Sequence, residues 1–165
     1  MEQESRAELR ARLLERLRDE FRDDHIAAEY TPEEENKVQG GILAAMFDSM
    51  GESLNDVFGE LFFMPDPDET AEVQTFVCAI LISDDLDNAD MPALYKACAK
   101  LTHTAPAGVF YVDEEGGRLI YKLGVPLKAE LPDTELYDEM NIVVGNAMGI
   151  VDRSVDELLT IVDQQ

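Results

Sequence analysis

The chain has 165 residues, 45% of them apolar, and carries 36 acidic residues against 13 Lys and Arg, a net charge of −23. That length suits one domain with a real core, and the apolar content argues against disorder despite the charge. So acidic a body repels phosphate backbones and anionic lipid surfaces. Nucleic acid and membrane are therefore not expected partners, whereas basic or amphipathic protein segments are.

The charge is uneven. Residues 1–22 hold six arginines and six acids, and the other 143 residues carry the whole −23. The opening M-E-Q-E-S-R-A-E contains no hydrophobic signal core, and no apolar run is long enough to cross a bilayer, so the expected location is cytoplasmic. Cys78 and Cys98 read as small buried hydrophobes in a reducing compartment.

In chain order, a first helix is expected over residues 4–24. Leu9, Leu13, Leu17 and Phe21 recur every fourth residue among Arg and Glu, a narrow apolar stripe on a charged helix. Such an arm lies either on its own domain or on a second subunit. Residues 25–30 read as a connector. Thr31-Pro32-Glu33-Glu34 reads as the start of a second helix running to Gly51, with Met46, Phe47 and Met50 on one face. That face is either core or an adaptable binding surface. Residues 54–64 turn extended, and Pro65 and Pro67 close that strand.

Val73 to Ile82 is the stretch around which the chain is organised. From Phe76 to Ile82 every residue is apolar, which predicts a central strand with something packed on each side. The acidic tract 84–90 resembles a calcium loop only superficially. Counted from Asp85, the third ligand position is Ala89, the sixth is Asp90 instead of Gly, and the twelfth is Lys96 instead of Glu. Asp90 reads better as the cap of a helix over 91–103. A hairpin follows, 109–112 and 119–123 around the turn D-E-E-G-G, with Pro126 expected to stop its second strand. A long C-terminal helix opens near 131–134. It contains Gly145 and Gly149, spaced for close approach of another backbone, and Ser154 to Glu157 reads as a second capping box where the helix bends.

Catalytic signatures are missing. His25 and His103 sit in no recognisable frame, and no nucleotide-binding, nucleophile-elbow, zinc or C-x-x-C motif is present. No catalytic residue, cofactor or metal site is expected.

The stretches F-G-E-L-F-F-M-P, V-Q-T-F-V-C-A-I-L-I-S-D-D, M-P-A-L-Y-K-A-C-A-K-L, G-V-F-Y-V-D-E-E-G-G-R-L-I-Y-K-L-G-V-P-L and D-E-L-L-T-I-V follow in that order. Over residues 54–163 this pattern resembles the YbjN-type domains, which share the fold of the class I type III secretion chaperones. The resemblance implies an α+β module without enzymatic chemistry, often paired, that holds other proteins. The fold expected is α+β: an antiparallel sheet in helix–hairpin–helix–hairpin–helix order, with a long C-terminal helix packed on it. Residues 1–52 would form an N-terminal arm of two helices and 53–165 the chaperone-like domain.

The expected function is a cytoplasmic protein-interaction module, chaperone-like or regulatory. Two other classes compete with it: a small-molecule sensor or enzyme with a pocket between sheet and helices, and an acidic decoy of nucleic-acid-binding proteins. A homodimer is expected. The candidate contact residues, for a partner or for a second subunit, are Leu9, Leu13, Leu17, Phe21, Met46, Met50, Gly145 and Gly149.

Overall fold

The computed structural model describes residues 4–66, 68 and 70–163. In chain order it forms α1 (Arg6–Asp23), β1 (Ala27–Thr31), a single-turn α2 (Glu33–Asn36), β2 (Ile42–Met50), β3 (Asn55–Phe63) and β4 (Val73–Ser83). Then come α3 (Met91–Thr104), β5 (Val109–Asp113), β6 (Arg118–Lys128), α4 (Asp133–Asp152) and α5 (Val155–Val162). The six strands make one antiparallel sheet in the order β1-β2-β3-β4-β6-β5. The α+β class is as expected, and β4 lies between β3 and β6 with α4 and α5 against it.

Local signals explain several elements. Ser5 and Glu8 form a reciprocal capping box that starts α1, through Glu8 N–H to Ser5 Oγ at 3.2 Å and Ser5 N–H to Glu8 Oε2 at 2.8 Å. Asp90 caps α3 by accepting from the Ala93 amide at 3.1 Å. Pro126 does not end β6. Strand β5 stops opposite Lys122, so beyond that point one side of β6 is a free edge where a missing N–H costs no ladder bond.

Four further expectations need correction. Residues 31–51 do not form one continuous helix. Thr31 ends β1, α2 has no side-chain cap, and 42–50 are the strand β2. Every residue from Ile42 to Phe47 is apolar, so helical and strand periods are both satisfied, and the glycines decide between them. Gly40 and Gly41 adopt φ +82° and +84°, outside any helix. A Cβ on Gly40 would lie 2.5 Å from Arg10 Cβ, so this turn also exists to let α1 close on the sheet. The connector over 25–30 contains most of β1. The second capping box does not form, because Ser154 donates its hydroxyl to the Ile150 carbonyl at 3.0 Å and the helix breaks there into α4 and α5. Finally, β4 is not covered on both faces.

Helices α1, α3, α4 and α5 share one face of the sheet and one continuous core. From β4 that core takes Phe76, Cys78, Ile80 and Ile82. From α1 it takes Leu13, Leu14, Leu17 and Phe21, with Phe21 edge-on to Phe47 at 5.6 Å. The arginines of α1 bind their own chain. Arg12 bridges Glu4 and Asp133 (2.8 and 2.6 Å), and Arg16 stacks 3.8 Å over Tyr137, whose hydroxyl donates to Glu20.

Among the described residues, Arg10 is the one large charged side chain carried into this core. Its Nε donates to Gln74 Oε1 at 3.0 Å and its Nη1 to Gln39 Oε1 at 2.8 Å, and its guanidinium lies 5.1 Å over the Phe63 ring. Arg6 pairs with Asp66 and donates to the Ala71 carbonyl at 2.9 Å, so α1 also fastens the β3–β4 loop. At the other end, Asp156 of α5 accepts from the Glu52 and Ser53 amides (2.7 and 3.3 Å) and from Asn55 Nδ2 (3.0 Å), holding the β2–β3 turn. These contacts, led by the Glu52 amide, pull the Asp156 carboxyl below the usual range.

Two outcomes test this arrangement. Ile80→Asp places an unpaired carboxylate under the helices, which costs several kcal/mol, comparable to the whole stability of a domain of this size. It should abolish cooperative thermal unfolding, and a soluble, cooperatively melting variant would refute the assignment of this face. Asp156→Asn should accelerate amide hydrogen exchange at Glu52 and Ser53 while leaving the α1 amides protected; unchanged exchange would remove the latch.

Candidate protein-interaction face

The other face of the sheet carries no helix. Alternation along β4 sends Thr75, Val77, Ala79 and Leu81 to that side, and of this face only Val77 is buried within the chain. The strand register then sets the side chains in rows that cross the sheet. One row runs Ala27, Met46, Phe58, Leu81, Ile120, Tyr111, apolar on all six strands. The next runs Glu29, Ala44, Glu60, Ala79, Lys122, Val109. A third includes Phe62, Val77 and Gly124.

Nine large apolar side chains are exposed among the described residues, and six of them (Met46, Phe58, Met64, Val73, Val109, Tyr111) project from this one face. Scattered exposed apolar residues need no explanation, but a contiguous patch does. Phe58 is 46% exposed and Met46 39%, against 0% for Phe63 and Phe76 on the other side of the same sheet.

The charge pattern of the face differs from that of the body. Beyond residue 22 the chain has seven bases, and three of them (Arg118, Lys122, Lys128) lie along the outward side of β6. Four acids of the face lie on the opposite half, Glu29 on β1, Asp48 on β2, and Asp56 and Glu60 on β3, and a fifth, Asp113, stands on β5 directly beside Arg118. Arg118 also pairs with Asp113 across the hairpin at 2.6 Å, which holds the Asp113 carboxyl below the usual carboxylate range. Between the halves, Phe58, Glu60, Ala79, Leu81, Arg118 and Ile120 enclose a dent of about 70 Å³. That accepts a side-chain tip but is far smaller than a cofactor pocket, which needs roughly 300 Å³ or more.

Elsewhere, a groove of about 380 Å³ runs between α1 and residues 30–40, with Glu8, Glu15, Glu33 and Glu34 on its walls. Tyr30 in that groove donates to the Gly40 carbonyl at 3.1 Å, and burial, reinforced by the nearby glutamates, pushes its phenol pKa up. Burial also pushes the Cys78 thiol up to about 12 and raises Cys98, which makes both poor nucleophiles. Among the described residues no group of three or more His, Cys, Asp or Glu is placed to hold a metal ion, and no helix is long and apolar enough to cross a membrane.

The residues singled out from sequence fall in different places. Leu13, Leu17 and Phe21 belong to the chain's own core, Leu9 packs against its edge, and Met50 is buried with them. Met46 alone projects from the bare face. Gly145 sits on the outer side of α4, where an added Cβ would meet nothing within 4 Å, and a Cβ added at Gly149 would lie 3.6 Å from the Arg153 guanidinium. The face's principal residues, Phe58, Leu81, Ile120 and Tyr111, were not anticipated. The signal was there: β4 is apolar on both sides while the helices available can cover one.

No protein-family model matches this chain, and no curated protein matches it.

The two faces should respond differently to truncation. With the chain dilute enough to be monomeric, Phe58→Ser should shift stability by about 0.5 kcal/mol or less, as surface changes do. Phe63→Ala, by contrast, should cost about 3–5 kcal/mol, as large core truncations do. Urea titrations followed by circular dichroism check this, and equal losses would mean that Phe58 is core.

Proposed function

We propose that this chain is a non-enzymatic protein-interaction module of the cytoplasm, chaperone-like or regulatory, and that the bare face of its sheet is the working surface. The single observation that carries this reading is the apolar row across all six strands, left uncovered while every long helix packs on the other side. A sheet with one helical layer and an apolar second face is completed by another protein surface. The buried free thiols Cys78 and Cys98 suit a reducing compartment. The net charge disfavours nucleic acid and anionic lipid as occupants and favours protein. Within this proposal the chain is a relative in kind of the YbjN-type domains, holding other proteins without chemistry of its own.

Site-specific photocross-linking in the native cell tests it. A benzophenone side chain in place of Phe58 should give protein adducts, whereas the same group in place of Ile142, exposed on α4, should not. Adducts from position 142 alone, or none from 58, would overturn the assignment of the working surface.

A further inference from the structure

We propose that the bare face is closed by a second copy of this chain, packed sheet to sheet around a two-fold axis that runs along the strands between β3 and β4. The inference rests on the reading of this face as an interaction surface and names its occupant.

Size is the first argument. Six strands spaced about 4.8 Å apart, over some eight residues of strand, present a face of roughly 29 by 26 Å, on the order of 750 Å² per copy. A standard stable interface removes about 800 Å² per partner, so the face alone suffices.

The second argument is the distribution of charge, and it selects the axis. A two-fold along the strands lays β6 of one copy over β2 of the other, β4 over β3 and β5 over β1, and leaves the level along the strands unchanged. Lys122 then lands over Ala44 of the other copy, between Glu29 and Glu60, because these residues share one cross-sheet row. Arg118, two residues before Ile120 on β6, comes to the end of the other copy's β2 and β3 that carries Asp48 and Asp56. A two-fold across the strands would instead set the acidic half on the acidic half. With the axis along the strands, Lys122 meets carboxylates, while Arg118 keeps Asp113 of its own hairpin as a partner. Aligned sheets cross at only about 30°, so levels near the axis stay in register.

Side-chain size follows the same rule. Lys122 and Glu60 each face an alanine (Ala44 and Ala79), and Tyr111 faces Ala27. Leu81 faces Phe58 and Ile120 faces Met46, an apolar row on an apolar row. The dent of about 70 Å³ beside Phe58 and Leu81 lies next to the axis, where it takes the tip of the other copy's side chain. Three of the seven bases beyond residue 22 lie on this face, which lowers the repulsion there between two bodies of −23.

Sedimentation equilibrium of the full chain tests the proposal. The wild type should dimerise reversibly. Lys122→Glu and Glu60→Lys should each weaken self-association by at least about tenfold while keeping the wild-type circular dichroism and melting behaviour. An equimolar mixture of the two variants should form a heterodimer near wild-type affinity, because the acidic face of one then meets the basic face of the other. A wild type that stays monomeric, or a mixture no tighter than its components, overturns the second copy as occupant. If the Phe58 position still cross-links to other proteins in that case, the interaction-face reading survives. If those adducts are absent as well, both fall.

Discussion

The fold depends on the burial of one side of β4. Phe76, Cys78, Ile80 and Ile82 are withdrawn from water by α4 and α5, and β3 and β6 pair along both edges of the strand. Fully burying side chains of this size contributes about 1.5–3 kcal/mol each, and the main-chain groups between them are satisfied only if both neighbouring strands are in place. Helices and sheet are therefore mutually dependent. The helices have little apolar surface except where they meet the sheet, and the sheet has no other cover.

Closure of α1 on this layer requires something beyond apolar contact. Arg10 is fully buried, and a buried guanidinium is tolerated only when its donors are matched. Gln74 on β4, Gln39 before β2 and the Phe63 ring surround it, and the left-handed Gly40 leaves room for its stem. The same few residues thus tie the first helix, the β1–β2 connection and the central strand together. Arg6 and Asp66 extend the tie to the β3–β4 loop. The near-neutral first 22 residues, so unlike the rest of the chain, are explained by these contacts and by the pairing of α1 with Asp133 and Tyr137 on α4. The arginines compensate carboxylates within one chain.

Helices α1, α3, α4 and α5 all lie on one side of the six strands and leave the other side without a helical cover. Val77, Ala79 and Leu81 make that side as apolar as the covered one at the sheet's centre, and the flanking strands add Phe58, Met46, Ile120 and Tyr111. Four of the five acids on that side lie on β1–β3 and its bases on β6, with Asp113 of β5 paired to Arg118, and this gives the patch a direction, which is what distinguishes a specific surface from a sticky one.

Sequence alone determined the elements in which period, cap and turn residues agree. Helix α1 follows from its leucines and the Ser5–Glu8 cap, α3 from Asp90, the β5–β6 hairpin from its glycine turn, and β4 from seven consecutive apolar residues. It also determined the α+β class. It did not determine β2, because Ile42 to Phe47 satisfies both the helical and the strand period. The tie is broken by the left-handed backbone at Gly40 and Gly41 and by pairing with β1 and β3 along both edges. Nor did it determine the role of the α1 stripe, since Leu13, Leu17 and Phe21 would look the same against their own sheet or another's. The bare face was likewise decided only in three dimensions. An apolar run records that both sides of a strand avoid water, but which side is covered depends on where distant helices pack, and here the connections place all the long ones on one side.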